Sequence, residues 1–283
     1  MPIPGIIFVM VCLLVGFTMA GGRIMAMVHP AEYITIVGAS FGAMLISAPK
    51  KIIKMIFAAL LGVFKGHKLG KAVYLDALVV MFKLFALAKK QGVLALEAHV
   101  ADPHKSDIIS KYPMFAHHHH AVEFLTDALR LVIDGVAQPE ELEPLLDVTL
   151  DTHRAEAHMP VNILTKVGDA LPGIGIVGAV LGIIITMGAI DGPASEVGHK
   201  VAAALVGTFL GVFLSYCLIN PIVTSLEQAH VEEEKFLDVI KTGVLTFVSG
   251  ATPSTAVEYA RRGLFSFDRP TLDETTKACK ESR

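Results

Sequence analysis

The sequence predicts an all-α membrane protein with four transmembrane helices, a large cytoplasmic helical domain between the second and third spans, and a cytoplasmic helical tail. Three observations predict it. Four apolar windows, Ile3–Ala20, Tyr33–Ala48, Leu171–Ile190 and Val201–Thr224, contain no charged residue and no histidine. The chain is 53% hydrophobic and 18% charged, with a mean hydropathy of +0.59, a balance that suits a membrane protein with a substantial wet part. Lysine and arginine are spread very unevenly over the segments between the windows.

A helix rises about 1.5 Å per residue and the hydrocarbon core is about 30 Å thick, so roughly twenty apolar residues cross it. Pro30 and Ala31 extend the short second window toward the interface. The expected spans are therefore 3–20 and 30–48 in one hairpin (1–48), and 171–190 and 201–224 in another (171–224). Met1–Pro4 lacks the basic start of a cleaved signal peptide, and the run after it is long for one, so the first window is read as a span. Of the 24 basic residues, fourteen lie in 49–170 and eight in 225–283, against Arg23 and Lys200 in the short loops. Basic segments stay inside. Domain 49–170, tail 225–283 and both termini are thus placed in the cytoplasm, with Lys50, Lys51 and Lys54 as anchors.

The middle segment reads as helical over Ile52–Phe64, Tyr74–Lys90, Glu123–Val136 and Glu140–His158, which are rich in good helix formers. Leu125, Leu129, Val132 and Val136 recur at three- and four-residue steps. Gly70, Gly92, Gly135 and Pro139 punctuate the segment. The fourth span continues as a helix through Glu227 to Val248, breaks near Gly250–Pro253, and gives a short helix over Thr255–Leu264. The last fifteen or so residues read as frayed.

Composition and motifs exclude several functions. A net charge of −3 does not suit nucleic acid. Cysteines at 12, 217 and 279 make no disulfide framework. No nucleophile motif, phosphate loop or carboxylate pair stands out, so no enzyme and no cofactor is expected. Gly173-Ile174-Gly175 lies in a span and is no dinucleotide loop. The His117–His120 run points around a helix instead of converging, and His153 with His158 lacks metal-ligand spacing, so no metal site is expected.

Spans three and four carry small residues at four-residue steps: Gly175 with Ala179, Gly178 with Gly182, and Ala203, Gly207 and Gly211. Such stripes let helices approach closely in lipid, and their number predicts an oligomer beyond one hairpin. The polar atoms there are Thr186, Thr208, Ser215, Tyr216, Cys217 and Asn220. Thr208 and Ser215 are seven apart and share a face, a hint of a hydrated path. The spans are expected to hold no ionisable group, so a moving proton needs a carboxylate from another chain. Pro172 and Pro221 fall near one cytoplasmic level. Pro172 reads as a helix-start proline and Pro221 as a kink; together they form a candidate hinge.

These residues resemble the MotA family of flagellar stator proteins, of the MotA/TolQ/ExbB proton channel class. The resemblance rests on Val167-Gly168-Asp169-Ala170-Leu171-Pro172-Gly173-Ile174-Gly175-Ile176-Val177, on Val206-Gly207-Thr208-Phe209-Leu210-Gly211 and Ser215-Tyr216 with Pro221, on Ala256-Val257-Glu258-Tyr259-Ala260-Arg261-Arg262, and on Gln91-Gly92-Val93-Leu94-Ala95-Leu96-Glu97. It runs nearly end to end. It implies a bacterial inner-membrane subunit, five copies of which ring a dimer of the single-span protein MotB and turn against the rotor protein FliG as protons pass. The family's ion path implies roles for Ala179, Thr186, Thr208, Ser215 and Tyr216. Its prolines imply coupling by Pro172 and Pro221. Sodium-driven relatives carry threonine where Ala179 stands, so protons are expected here, not sodium. The rotor contact falls on Lys89 and Glu97 by alignment and on Lys90 and Glu97 by helix geometry, so both lysines are kept. A second family acid is Thr149 here.

Three other readings compete. An ExbB- or TolQ-like energiser of outer-membrane processes has three spans instead of four. A passive membrane scaffold needs neither the hydroxyl face nor the paired prolines. A solute transporter shows internal repeats and midplane polar groups, which are not evident.

Overall fold

The computed structural model describes residues 2–65, 69–136 and 138–281, and among these no strand forms. In order come α1 (Pro2–Met19), α2 (Pro30–Ser47), α3 (Lys50–Lys65), α4 (Lys71–Gln91), α5 (Glu97–Ala101), α6 (Pro113–Ala116), α7 (His119–Ile133), α8 (Pro139–Met187), α9 (Ala194–Phe213), a π-helical turn over Leu214–Ile219, α10 (Asn220–Val248), α11 (Pro253–Gly263) and α12 (Leu272–Glu281). Three helical stretches are long and apolar enough to cross a membrane, Ile24–Ser47, Pro139–Met187 and Ala194–Val248; Ile3–Met19 is a shorter apolar helix.

Two compact units emerge. Unit 1 comprises Met1–His67 and Glu156–Ala229; unit 2 comprises Lys68–Ala155 and His230–Arg283. These boundaries differ from the expected ones at 48/49 and 170/171. The reason is packing: Ile52 and Ile56 of α3 join Met44, Val161, Leu164, Ile222, Val223 and Leu226 in one buried cluster. Residues 50–65 and 156–170 therefore pack with the helices of unit 1.

Helix α8 corrects a second expectation. It runs unbroken through Pro160 and Pro172, so Pro172 is an interior proline and not a helix start. Each such proline lacks one backbone donor, and forty-nine helical residues supply enough other bonds and contacts to hold the axis. The tail is a third correction. Residues 272–281 form a helix, opened by a capping box in which Thr271 Oγ1 accepts from Glu274 N at 3.2 Å and Glu274 Oε2 accepts from Thr271 N at 2.7 Å.

Unit 2 is built around one buried apolar core. Phe85, Phe115, Leu125, Leu129 and Ile240 are fully buried, with Phe85 stacked on Phe247 at 4.5 Å. Helix α11 lays Ala256, Val257 and Ala260 into this core. A Cβ on Gly243 would stand 3.3 Å from Ala260 Cβ, so the small residues of the tail motif allow close approach. Charged groups ring the core: Lys241 Nζ donates to Asp147 Oδ1 at 2.8 Å and Arg154 Nε to Glu234 Oε2 at 3.1 Å.

Candidate functional site

The small residues of α8 and α9 lock together within the chain. A Cβ on Gly211 would meet Leu171 O at 2.6 Å and Gly175 Cα at 2.8 Å, and one on Gly182 would meet Ala204 Cβ at 2.8 Å. The α9 stripe is thus Ala204, Gly207 and Gly211, with Ala204 in the place expected for Ala203. The hairpin itself occupies these stripes, so they do not argue for an oligomer.

Between the two helices lies a group the sequence reading missed. Glu32 stands in the first turn of α2, is 9% exposed, and has an Oε2 with no hydrogen-bond partner among the described residues. That oxygen is 2.7 Å from where a Gly207 Cβ would be and 3.0 Å from where a Gly178 Cβ would be. Both glycines make room for it. The expectation that the spans hold no ionisable group is therefore corrected. The uncharged window begins at Tyr33, but the expected span 30–48 and the helix α2 both start at Pro30 and contain Glu32. An unpartnered buried carboxylate oxygen is costly. It calls for a proton, a cation or a donor from a neighbouring chain.

Ala179 adjoins this group, since its backbone nitrogen is 3.4 Å from the same hypothetical Gly207 Cβ. Thr208, next in sequence to Gly207, is half-buried. It lines an apolar groove of about 440 Å³ with Phe8, Cys12, Leu13, Val212 and Cys217. Thr186 is buried and its hydroxyl donates to Gly182 O at 2.8 Å. Ser215 is fully buried, its Oγ has no hydrogen-bond partner among the described residues, and Tyr216 beside it is 63% exposed. The structure thus gathers Ala179, Gly207 and Glu32, and sets Thr186, Ser215 and Tyr216 apart from them. Ser215 and Tyr216 share the π-helical turn, a widened geometry frequent at functional positions.

That turn explains Pro221. Its ring clashes with the carbonyl four residues back, Cys217, and Cys217 lies inside the π turn. The extra residue per turn accommodates the proline. A Cβ on Gly168 would stand 2.4 Å from Asn220 Oδ1, and Leu171 O abuts Gly211 as above. Leu171 thus faces Gly211 while Gly168 faces Asn220, so Pro172 lies near the start of the π turn and Pro221 beyond its end. The two prolines bracket the turn and do not share the one level expected of them.

In unit 2, α4 ends at Gly92, whose φ of +89° suits glycine. Lys89 and Lys90 in the last turn, and Glu97 at the start of α5, are all exposed. The helix stops between them, so the seven-residue spacing of Lys90 and Glu97 no longer fixes a common face. Between them Leu94 is 68% exposed. Thr149 is satisfied on its own helix, donating to Leu145 O at 3.1 Å. The tail motif is structural: Glu258 accepts from Arg261 Nε and Arg262 Nε, each at 2.7 Å. The Arg261 hydrogen bond, helped by Arg262 and opposed by burial, holds the Glu258 carboxyl at about 2.

Comparison with known proteins follows this geometry. The family model of the motility protein A N-terminal region matches residues 3–92, and that of the MotA/TolQ/ExbB proton channel family matches residues 116–238. Motility protein A of Escherichia coli is 38% identical over 94% of this chain and 91% of its own length. Chemotaxis protein LafT of Vibrio parahaemolyticus is 32% identical over 96% of each. The flagellar MotAB stator complex from Bacillus subtilis contains a chain that superposes with a TM-score of 0.76 at 27% identity, covering 98% of each. The C. jejuni MotAB structure shares the fold with a TM-score of 0.80 at 21% identity, covering 96% of this chain and 98% of its own.

Proposed function

Since the chain belongs to the motility protein A family, within the MotA/TolQ/ExbB proton channel class, we infer that it is a stator subunit of the bacterial flagellar motor and builds the wall of a proton channel. In this reading four apolar helices cross the inner membrane with both termini in the cytoplasm. Five copies ring a dimer of a MotB-like single-span partner. A carboxylate of that partner carries the proton along the wall, and the ring turns against FliG. Lys89, Lys90 and Glu97, exposed on either side of Gly92, supply the charges for the rotor contact.

The single observation that carries the ion-path reading is the Glu32 carboxyl lodged between Gly178 and Gly207, next to Ala179. Glu32 is the chain's own protonatable group beside the path. The Ala179 methyl offers no oxygen to a partly dehydrated sodium ion, which favours protons as the cargo. Thr186, Thr208, Ser215 and Tyr216 supply hydroxyls along the wall. A group that gains or loses charge between α2, α8 and α9 changes how tightly these helices hold. Pro172, near the start of the π turn, and Pro221, beyond its end, are where that change becomes motion.

The test is a swimming assay in medium with potassium in place of sodium, in which this chain and its partner replace the stator pair of a non-motile strain. The wild-type chain restores swimming, and Glu32→Gln reaches the membrane at normal level but swims slowly or not at all. No swimming with the wild-type pair would contradict a proton-driven stator. Full swimming with Glu32→Gln would remove Glu32 from the path.

A further inference from the structure

Three helices of unit 2 bring one side chain each to a common point. His120 of α7 places Nδ1 2.8 Å from Oε1 of Glu233 of α10 and 3.3 Å from Nε2 of His153 of α8. His153 Nε2 is 3.9 Å from the same carboxylate oxygen. These three atoms could hold one metal ion. A zinc ion with ligands at about 2.0–2.1 Å in tetrahedral directions sets its ligand atoms roughly 3.3 Å apart. The three edges straddle that length, with a mean close to it.

Hydrogen bonding alone accounts for only part of this. A proton on His120 Nδ1 can be given to Glu233, but nothing then joins His153 Nε2 to His120 Nδ1, two ring nitrogens facing each other at 3.3 Å. His153 Nδ1 is buried with no hydrogen-bond partner among the described residues. With the ring proton there, Nε2 turns a lone pair toward the centre. His120 is 63% exposed, so water can reach the open side.

The histidine run as a run is not the site. His117 Nδ1 bonds Pro113 O, the His118 ring packs edge-on against Phe236 at 6.3 Å, and His119 meets the His104 ring at 5.7 Å. One member remains, and it converges with residues 33 and 113 positions away. The expectation of no metal site weighed the run by itself and His153 with His158 along one helix, and a convergence of three helices lies outside both.

We propose that His120 Nδ1, His153 Nε2 and a Glu233 carboxylate oxygen form a site for a divalent transition-metal ion, with zinc the fitting ion and water in the fourth position. Two imidazoles and one carboxylate suit zinc and do not suit magnesium or calcium, which take oxygen ligands. The ion fastens α7, α8 and α10 to one another. Because the folded unit presents the ligands together, binding raises the unit's stability.

The experiment uses the full-length chain in detergent, stripped with a chelator and then titrated with zinc chloride and with cobalt chloride. The wild type retains one zinc per chain after dialysis, shows the visible absorption of tetrahedral cobalt, and melts at a higher temperature with zinc. His120→Ala and Glu233→Gln each weaken binding more than about tenfold, the upper range being that of lost ligands and the lower that of lost supporting contacts. The double variant His117→Ala with His119→Ala binds as the wild type does. His120 is exposed, so His120→Ala reads the site even where His153→Ala fails to fold. Absence of retained zinc in the wild type would overturn the proposal. So would unchanged binding by His120→Ala and Glu233→Gln, or an equal loss in the His117/His119 double variant, which would assign the metal to the run.

Discussion

Unit 1 leaves many large side chains of its apolar helices exposed and packs small residues at the α8–α9 contact, whereas unit 2 gathers its large apolar side chains into one core. In unit 1, Phe8 is 70% exposed, Ile34 74% and Ile46 90%, while Gly175, Ala204, Gly207 and Gly211 fill the α8–α9 contact. In unit 2, Phe85, Leu125 and Leu129 are fully buried and ion pairs cover the outside. In water, burying apolar surface holds helices together. In lipid that driving force is gone, and close backbone approach takes its place. The same chain applies both rules, the second along the α8–α9 contact and the first in the core of unit 2.

This contrast is open to attack. The largest effect belongs to Gly211→Val. The added side chain runs into backbone atoms that cannot retreat, so the chain should vanish from the membrane fraction on immunoblots. Gly173, with nothing within 4 Å of a Cβ, should accept alanine with normal levels. Accumulation of Gly211→Val at wild-type level would break the account of unit 1. Next comes Leu129→Ala, which leaves a cavity in the unit 2 core and should destabilise it by about 2–5 kcal/mol. Thermal melts of the purified chain read this as a lower midpoint.

A smaller, functional effect belongs to the exposed tip of α4. Lys89→Glu combined with Lys90→Glu should lower torque on tethered cells while stator assembly stays normal. Normal torque would remove the charge argument for rotor contact. The smallest effect is a pH dependence. Glu258 lies at about 2 in the folded chain against an ordinary 4.5. A depressed carboxyl contributes stability that is full above the ordinary value and is lost as pH falls toward the folded one. The melting difference between wild type and Glu258→Gln should therefore be constant above about pH 4.5 and shrink toward pH 2. A difference that grows on acidification would contradict the assigned pairing.

Much of the fold was legible because its signals are local. The helix from the fourth span to Val248, the break at Gly250 and the end of α4 at Gly92 all follow from periodicity and glycine. Thr271 with Glu274 spelled a capping box that marks α12, and reading the tail as frayed passed over it. Pro172 misled in the other direction, since a proline rule for short helices does not bind a helix held at both ends by packing. Glu32 and the His120–His153–Glu233 cluster were not legible for another reason. Glu32 lies inside the span 30–48 and is lost from view when charge is counted only over the uncharged window from Tyr33. The cluster joins residues 33 to 113 positions apart, and no spacing rule along one helix reaches that far.

Proton flux into liposomes tests the central idea most directly, with one set of vesicles holding this chain alone and another holding it with its single-span partner freed of any inhibiting segment. The account predicts no flux above background for the chain alone, since the carboxylate that carries the proton comes from the partner, and clear flux for the pair. Equal flux in both sets would contradict it.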